Sequence, residues 1–233
     1  MMLQRALDSY EPSKCQALKE FLRAGETFID VGCNKGDFSL LASRLVGPQG
    51  RVLAFEPHPE NCRWIRKSIA KNDYRNIDLY EFALSDANGA TQLHLGEKSG
   101  THTLRAGRLQ REKGTLEIKT RRLDDLLQEI RFHRSIKAMK IDVEGAELDV
   151  LKGARETIAR NPGIVLFLDV HPHLGVDPKQ VCDYLRDDLG LALFAEQQPF
   201  NVEIRDADVS RLVATRDFPT SAISMVSRLR AAA

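Results

Sequence analysis

Apolar and polar positions switch between two periods along the chain, first a short apolar run and then a helical repeat. Residues 27–31 form an apolar run that Gly32 closes, which predicts a buried strand. A helix is predicted over residues 37–46, where one face carries Phe38, Leu41, Ala42 and Leu45. The same alternation continues along the chain, and it predicts βαβ units around a mostly parallel sheet.

Further strands are predicted at 51–55, 77–84, 91–95, 116–120, 136–143, 164–168 and 191–195, with 201–204 as a candidate hairpin partner of the last one. Further helices are predicted from Pro59, at 123–130, after Gly145 and around 181–189. The run at 164–168 is the most continuous, so we expect a central strand buried on both faces. Residues 206–233 show no pattern that places an element.

The segment between residues 96 and 114 is the longest predicted loop, with four glycines among charged, Ser and Thr residues. Loops of this length inside a compact domain are usually functional or disordered. Its basic side chains form either a solvated face or a lid over an anionic acceptor such as a sugar acid or a lipid phosphate. They are Arg105, Arg108, Arg111 and Lys113.

Composition favours one α/β domain with an ordinary core. The chain has 233 residues, a hydrophobic fraction of 42% and 34 Lys and Arg against 33 Asp and Glu, a net charge of +1. Such a balance disfavours nucleic acid as an electrostatic partner. We expect a single domain over 1–233, with an N-terminal helical segment at 1–26, a core at 27–205 and a C-terminal segment at 206–233.

Membrane and secretory features are not predicted. No apolar run approaches the roughly 18 residues of a membrane helix, and the first residues lack the pattern of a secretory signal. The four cysteines show neither CxxC spacing nor histidines at metal spacing, which favours reduced, buried thiols in a cytoplasmic protein.

A glycine-rich turn joins the first strand to the first core helix. Gly32 and Gly36 are spaced G-x-x-x-G, which differs from the dinucleotide pattern G-x-G-x-x-G that accommodates a pyrophosphate. Asp30 precedes the turn, and Glu56 lies 20 positions after Gly36, about the offset of a carboxylate that accepts hydrogen bonds from a ribose. S-adenosylmethionine fits such a site, because it carries positive groups and a ribose but no pyrophosphate.

Acidic side chains follow two later strands, at the edge where doubly wound sheets bind ligands. Asp142 and Glu144 follow one strand, and Asp169 and His171 follow the next. Two arrangements remain open. These oxygen ligands could hold Mg²⁺, or Asp142 binds the cofactor ammonium, Glu144 caps the next helix and His171 accepts a proton. We favour the second arrangement, and we expect Glu147 and His173 to be solvated.

Several sequence blocks resemble the FkbM-type methyltransferases over residues 27–172. They are FIDVGCNKGDFS at 28–39, FEP at 55–57, TRRLDDLL at 120–127, KIDVEGAE at 140–147 and VLKGA at 150–154. The resemblance implies the class I methyltransferase fold, a three-layer αβα sandwich around a seven-stranded, mostly parallel sheet with an antiparallel edge. It also implies S-adenosylmethionine as cofactor and a sugar, lipid or polyketide oxygen as acceptor. The chain departs from the family at Cys33, Asn34 and Lys35.

We therefore expect an S-adenosylmethionine-dependent O-methyltransferase acting on a hydroxyl of a sugar, lipid or natural product. The alternatives are a nicotinamide-dependent oxidoreductase on a related sheet and a non-catalytic cofactor-binding scaffold. The candidate catalytic residues are Asp142, Glu144 and His171. The candidate cofactor-binding residues are Asp30, Gly32, Asn34, Gly36, Glu56, Pro57, Ser85 and Asp142.

Overall fold

The computed structural model describes residues 11–195 and 211–216. Its strands are β1 (Thr27–Val31), β2 (Arg51–Phe55), β3 (Ile77–Tyr80), β4 (Ala83–Leu84), β5 (Gly89–His94), β6 (Thr115–Arg121), β7 (Ala138–Ile141), β8 (Val165–Asp169), β9 (Ala192–Ala195) and β10 (Arg211–Thr215). Its α-helices are α1 (Pro12–Phe21), α2 (Asp37–Val46), α3 (Pro59–Lys71), α4 (Leu123–Glu129), α5 (Glu147–Gly153), α6 (Arg155–Arg160) and α7 (Pro178–Asp183).

Seven strands form the main sheet in the order β3-β2-β1-β7-β8-β10-β9. Strands β3, β2, β1, β7 and β8 pair in parallel, so their carboxyl ends share one edge. Strand β10 pairs antiparallel with both β8 and the edge strand β9. The predicted mostly parallel sheet with an antiparallel edge is confirmed. The predicted partner of β9 at 201–204 lies outside the described residues, and β10 belongs to the segment where the sequence placed no element.

Helices cover both faces of the sheet because side chains alternate along each strand. Ile29 and Val31 pack into one core cluster with residues of α4 to α7, while Phe28 packs on the opposite face with α1 and α2. All five residues of β8 are buried, as the continuous apolar run predicts. A fully buried Leu or Phe stabilises a fold by about 1.5–3 kcal/mol, so these two layers hold the rim of the sheet in place.

Two local predictions are wrong. The strand predicted over 77–84 is two strands, because β3 joins the main sheet whereas β4 joins a smaller sheet in the order β4-β6-β5. The helix predicted after Gly145 is interrupted at Ala154, between α5 and α6. Asp124 of α4 accepts hydrogen bonds from the backbone of Glu156 and Thr157 at the start of α6.

The burial pattern agrees with the cysteine prediction, because all four cysteines are free and buried. Trp64 is 46% exposed, and the Lys67 ammonium lies over its ring. None of the helices in the described part of the chain is long and apolar enough to cross a bilayer.

Candidate active site

A cavity of about 460 Å³ lies at the carboxyl ends of β1, β2, β7 and β8. Doubly wound sheets bind their ligands at this edge, and the volume is within the usual range for small-molecule sites. The cavity joins the predicted glycine turn to the predicted acidic edge. The candidate residues that line it are Gly32, Asn34, Glu56, Pro57, Asp142, Glu144 and His171.

Gly32 brings the β1 turn against the β7 turn. Its φ of +73° lies in the left-handed region, and a Cβ at this position would stand 1.9 Å from the backbone oxygen of Asp142. Its N–H donates to the Phe55 carbonyl at 3.0 Å. Because no side chain fits there, the two turns approach each other closely and form one continuous floor for the cavity.

Glu56 is held at the end of β2 by two backbone donors. The N–H of Asn34 donates to Glu56 Oε2 at 2.8 Å, and the N–H of His58 donates to Oε1 at 2.9 Å. Burial of the carboxyl group raises its pKa to about 7, although these hydrogen bonds favour the ionised form. The carboxylate therefore stands at the cavity wall in a fixed orientation, ready to accept further hydrogen bonds.

Three of the candidate cofactor residues do not line the cavity. Asp30 is fully buried below it and accepts a hydrogen bond from Ser39 Oγ at 2.6 Å. Gly36 lies against Ile65, and the carbonyl of Ser85 faces Gly153. Asp30 and Gly36 support the turn from behind, whereas Ser85 supports the packing of α5.

A buried lysine that the sequence patterns did not single out lies between two of the predicted acids. Lys140 is 2% exposed, and its Nζ lies 3.1 Å from Asp142 Oδ2 and 3.8 Å from Asp30 Oδ1. Burial lowers the pKa of this amine, but the carboxylates outweigh burial and raise it above its usual value. Burial also opposes ionisation of Asp142, yet Lys140 keeps the pKa of that carboxyl below its usual value.

A second buried lysine pairs with the acid at the end of the neighbouring strand, β8. Lys14, from α1, is 1% exposed; it pairs with Asp169 and, at 2.7 Å, with Glu11 Oε2. Burial raises the pKa of the Asp169 carboxyl, while Lys14 opposes that shift. The N-terminal helix therefore places a cation at the rim of the sheet, next to the predicted acidic edge.

His171 lies among three carboxylates. Its Nδ1 is 2.6 Å from Glu147 Oε1, and its Nε2 is 3.7 Å from Asp142 Oδ1 and 3.6 Å from Glu144 Oε2. Burial disfavours the imidazolium, but the hydrogen bond to Glu147 and the surrounding charges raise the pKa of His171 to about 9. The expectation that Glu147 is solvated is wrong, because it is fully buried. His173 is exposed, as expected.

Glu144 occupies a constrained position in the turn after β7. Its φ of +51° is unusual for a residue with a side chain, and the hydroxyl of Thr103 donates to its carbonyl at 2.5 Å. Burial raises the pKa of its carboxyl group to about 7. Glu144 does not cap the following helix; Glu147 accepts a hydrogen bond from the Gly145 N–H at 3.0 Å instead.

The long loop at 95–114 covers the cavity, and its basic residue Arg105 binds another part of the chain. The cavity lining includes Ser99, Gly100, His102 and Leu104 of this loop. Arg105 donates to the Gly145 carbonyl at 2.7 Å and pairs with Asp149 at 2.8 Å. Arg111 forms an exposed pair with Glu97. A lid over an anionic acceptor stays a prediction, and Arg105 already has an acidic partner within the fold.

The fold and its rim cavity define the class of protein. A methyltransferase FkbM from Methylobacillus flagellatus KT matches with a TM-score of 0.55 and 15% identity over 86% of this chain and 50% of that one. A putative rRNA methylase from Clostridium thermocellum matches with a TM-score of 0.52 and 12% identity over 87% and 92%. These likenesses show the class I methyltransferase fold. Residues 30–190 match the model of the methyltransferase FkbM domain. The chain belongs to this family.

Curated relatives match at moderate identity. The 2-O-methyltransferase NoeI of Sinorhizobium fredii is 30% identical over 57% of this chain and 58% of its own length. The hexuronic acid methyltransferase AglP of Haloferax volcanii is 28% identical over 76% and 68%, respectively. The chain thus spans less than two thirds of the first of these relatives.

Proposed function

We propose that the protein transfers a methyl group from S-adenosylmethionine to a hydroxyl oxygen of a sugar, lipid or natural product. One observation carries the proposal: a single cavity joins the turn at Gly32 and Glu56 to the cluster around His171. The first part suits a ligand with a ribose and no pyrophosphate, and the second suits removal of a hydroxyl proton. The family match supports the same chemistry.

In this proposal the cofactor lies along the floor of the cavity. Glu56 accepts hydrogen bonds from the ribose hydroxyls, and the close approach of Gly32 to the β7 turn leaves room for the methionine part beside Asp142. Asn34 and Pro57 complete the wall near Glu56. Asp30, Gly36 and Ser85 act indirectly, by holding the backbone that the cofactor contacts.

The transfer is an in-line displacement, so the fold must place the acceptor opposite the leaving sulfur. The hydroxyl oxygen forms a bond to the methyl carbon, the carbon–sulfur bond breaks and its electron pair stays on sulfur. The hydroxyl proton passes to the pair formed by His171 and Glu144. Because the pKa of Glu144 is about 7 and that of His171 about 9, Glu144 is the member of this pair that is partly free to accept it at neutral pH.

The acceptor end of the cavity favours a hydroxyl-rich molecule. Asp142, Glu144 and Asp169 line it, and carboxylates are acceptors for several hydroxyl donors at once. The names of the relatives NoeI and AglP refer to a 2-O-methyltransferase and to a hexuronic acid, which agrees with a carbohydrate acceptor. The prediction of a cytoplasmic enzyme is supported by the four free cysteines.

Calorimetry with S-adenosylhomocysteine tests the cofactor site. We expect one binding site in the intact protein and an affinity at least about tenfold lower for Glu56→Gln, since a hydrogen bond to a charged group contributes about 1.5–3 kcal/mol. Glu60→Gln is the matched control, because Glu60 is an exposed carboxylate of α3. No binding by the intact protein, or equal affinities for the Glu56 and Glu60 variants, would contradict the proposal.

A transfer assay tests the acceptor class. Isotope-labelled S-adenosylmethionine is incubated with pairs of glycosides that differ by one hydroxyl or by one carboxyl group. We expect transfer to a hydroxyl and loss of transfer when that hydroxyl is replaced by hydrogen. Transfer only to amine acceptors would contradict O-methylation while leaving the cofactor site intact.

A further inference from the structure

Two groups of side chains at the rim have spacings that could hold a cation. They differ in how many of their acids already contact an ammonium group. In the first, formed by Glu11, Asp142 and Asp169, each acid contacts a buried ammonium group, either Lys14 or Lys140. The second is formed by Asp142, Glu144 and His171. Here Glu144 has only the His171 imidazole as an ion-pair partner among the described residues. Both groups border the cavity, but only in the first does every acid already contact an ammonium group.

The second group has the spacing of a coordination site. His171 Nε2 lies 3.7 Å from Asp142 Oδ1 and 3.6 Å from Glu144 Oε2. A cation with bonds of about 2.0–2.2 Å places neighbouring ligand atoms roughly 3–4 Å apart. All three ligand atoms lie within 4.8 Å of one another, so small side-chain movements suffice to enclose a cation.

A buried carboxylate fixes the histidine in the orientation that metal ligands use. Glu147 is fully buried, and its Oε1 lies 2.6 Å from His171 Nδ1, which directs Nε2 towards Asp142 and Glu144. Histidines that bind metals commonly donate their other N–H to such a carboxylate. Glu147 Oε1 also accepts from the Gly145 N–H, and Glu147 Oε2 is buried with no hydrogen-bond partner.

We propose that Asp142, Glu144 and His171 bind one divalent cation, of the Mn²⁺ or Mg²⁺ type, and that Glu147 positions His171 for it. Two carboxylates and one imidazole favour Mn²⁺, because Mg²⁺ prefers oxygen ligands alone. Asp169, which the sequence placed in the same candidate set, belongs instead to the ion pairs of Lys14. Only a neutral imidazole ligates a metal, so the cation would displace the proton from His171 Nε2. It would orient an acceptor hydroxyl and lower the pKa of that group, a purpose that rests on the proposed function.

Electron paramagnetic resonance of Mn²⁺ tests the site without cofactor or acceptor, since bound Mn²⁺ loses the sharp signal of the free ion. We expect the intact protein to bind one equivalent, and His171→Ala and Glu144→Gln each to weaken binding at least about tenfold. Glu147→Gln should weaken it about 10- to 100-fold, as outer partners of metal ligands do. Circular dichroism confirms that each variant is folded, and His171→Asn replaces His171→Ala if the latter is not.

His173→Ala is the matched control, because His173 is a neighbouring histidine, 5.7 Å from His171 between ring centres, that belongs to neither candidate metal group. Its Mn²⁺ affinity should equal that of the intact protein. An intact protein that binds S-adenosylhomocysteine but no Mn²⁺ would overturn the inference and leave the proposed function standing. Mn²⁺ binding that survives loss of His171 and Glu144 would also overturn it. Mn²⁺ binding without any cofactor binding would support the metal site and refute the proposed function.

Discussion

The shape of the cavity is fixed by different groups at its two ends. At the cofactor end, around Gly32 and Glu56, backbone N–H groups and a residue without a side chain define the shape. At the acceptor end, around Asp142 and His171, shape depends on ionised side chains that hold one another. The difference indicates that, for the stability of the fold, the cofactor end tolerates changes of charge better than changes of volume, and the acceptor end tolerates changes of volume better than changes of charge.

The largest expected effect is at the acceptor end. Lys140→Met leaves Asp30 and Asp142 without their nearest cation in a buried place, and breaking a buried pair in this way costs about 3–5 kcal/mol of the free energy of unfolding. Urea denaturation measures this loss. Lys179→Met is the matched control, because the pair of Lys179 with Asp183 is exposed, and we expect a change within about 0.5 kcal/mol. Equal losses in the two variants would show that Lys140 does not organise the acceptor end.

The next largest loss of stability is expected at the cofactor end, from an added side chain at Gly32. Gly32→Ala introduces a Cβ only 1.9 Å from the Asp142 oxygen and forces a positive φ on alanine. Overpacking costs about 1–3 kcal/mol and left-handed backbone about 1–2 kcal/mol, so we expect a loss of about 2–5 kcal/mol in stability, with weaker binding of S-adenosylhomocysteine.

Gly25→Ala separates the two causes. Gly25 also has a positive φ, of +86°, but nothing lies within 4 Å of its added Cβ. Only the backbone cost of about 1–2 kcal/mol should appear in this control. If both alanine variants lost the same stability, the close approach of the two turns would not matter to the cofactor end.

This comparison also explains what the sequence could predict. Strand ends and the glycine turn follow from local patterns, so residues such as Gly32, Glu56, Asp142 and His171 could be placed at one edge before the structure was known. The ion pairs of the acceptor end depend on contacts between distant elements, as when Lys14 of α1 pairs with Asp169 at the end of β8. No local pattern contains that information.

Lys140 did leave a signal in the sequence. A lysine within the strongly apolar run over 136–143 would be buried, and a buried ammonium needs a carboxylate partner. Alternation along the strand places Lys140 and Asp142 on the same face, which identifies that partner. Glu147 gave no such signal, because an acidic residue in the first turn of a helix is common on protein surfaces. The division of 77–84 into two strands was likewise set by the second sheet rather than by its own residues.

The smallest expected effect is the pH dependence of cofactor affinity. Burial raises the pKa of Glu56 to about 7, and the ionised form accepts hydrogen bonds from ribose hydroxyls. Affinity should therefore be full above this pKa and fall as the pH drops through it, because a protonated Glu56 must first lose its proton. Between pH 8 and pH 6 we expect the affinity for S-adenosylhomocysteine to fall about tenfold, or about 1.4 kcal/mol. Calorimetry at both pH values measures the change, and Glu56→Gln should show a flat profile over the same range. A tenfold fall that persists in Glu56→Gln would assign the dependence to the acceptor end, and ionisation of Glu56 would then not govern cofactor affinity.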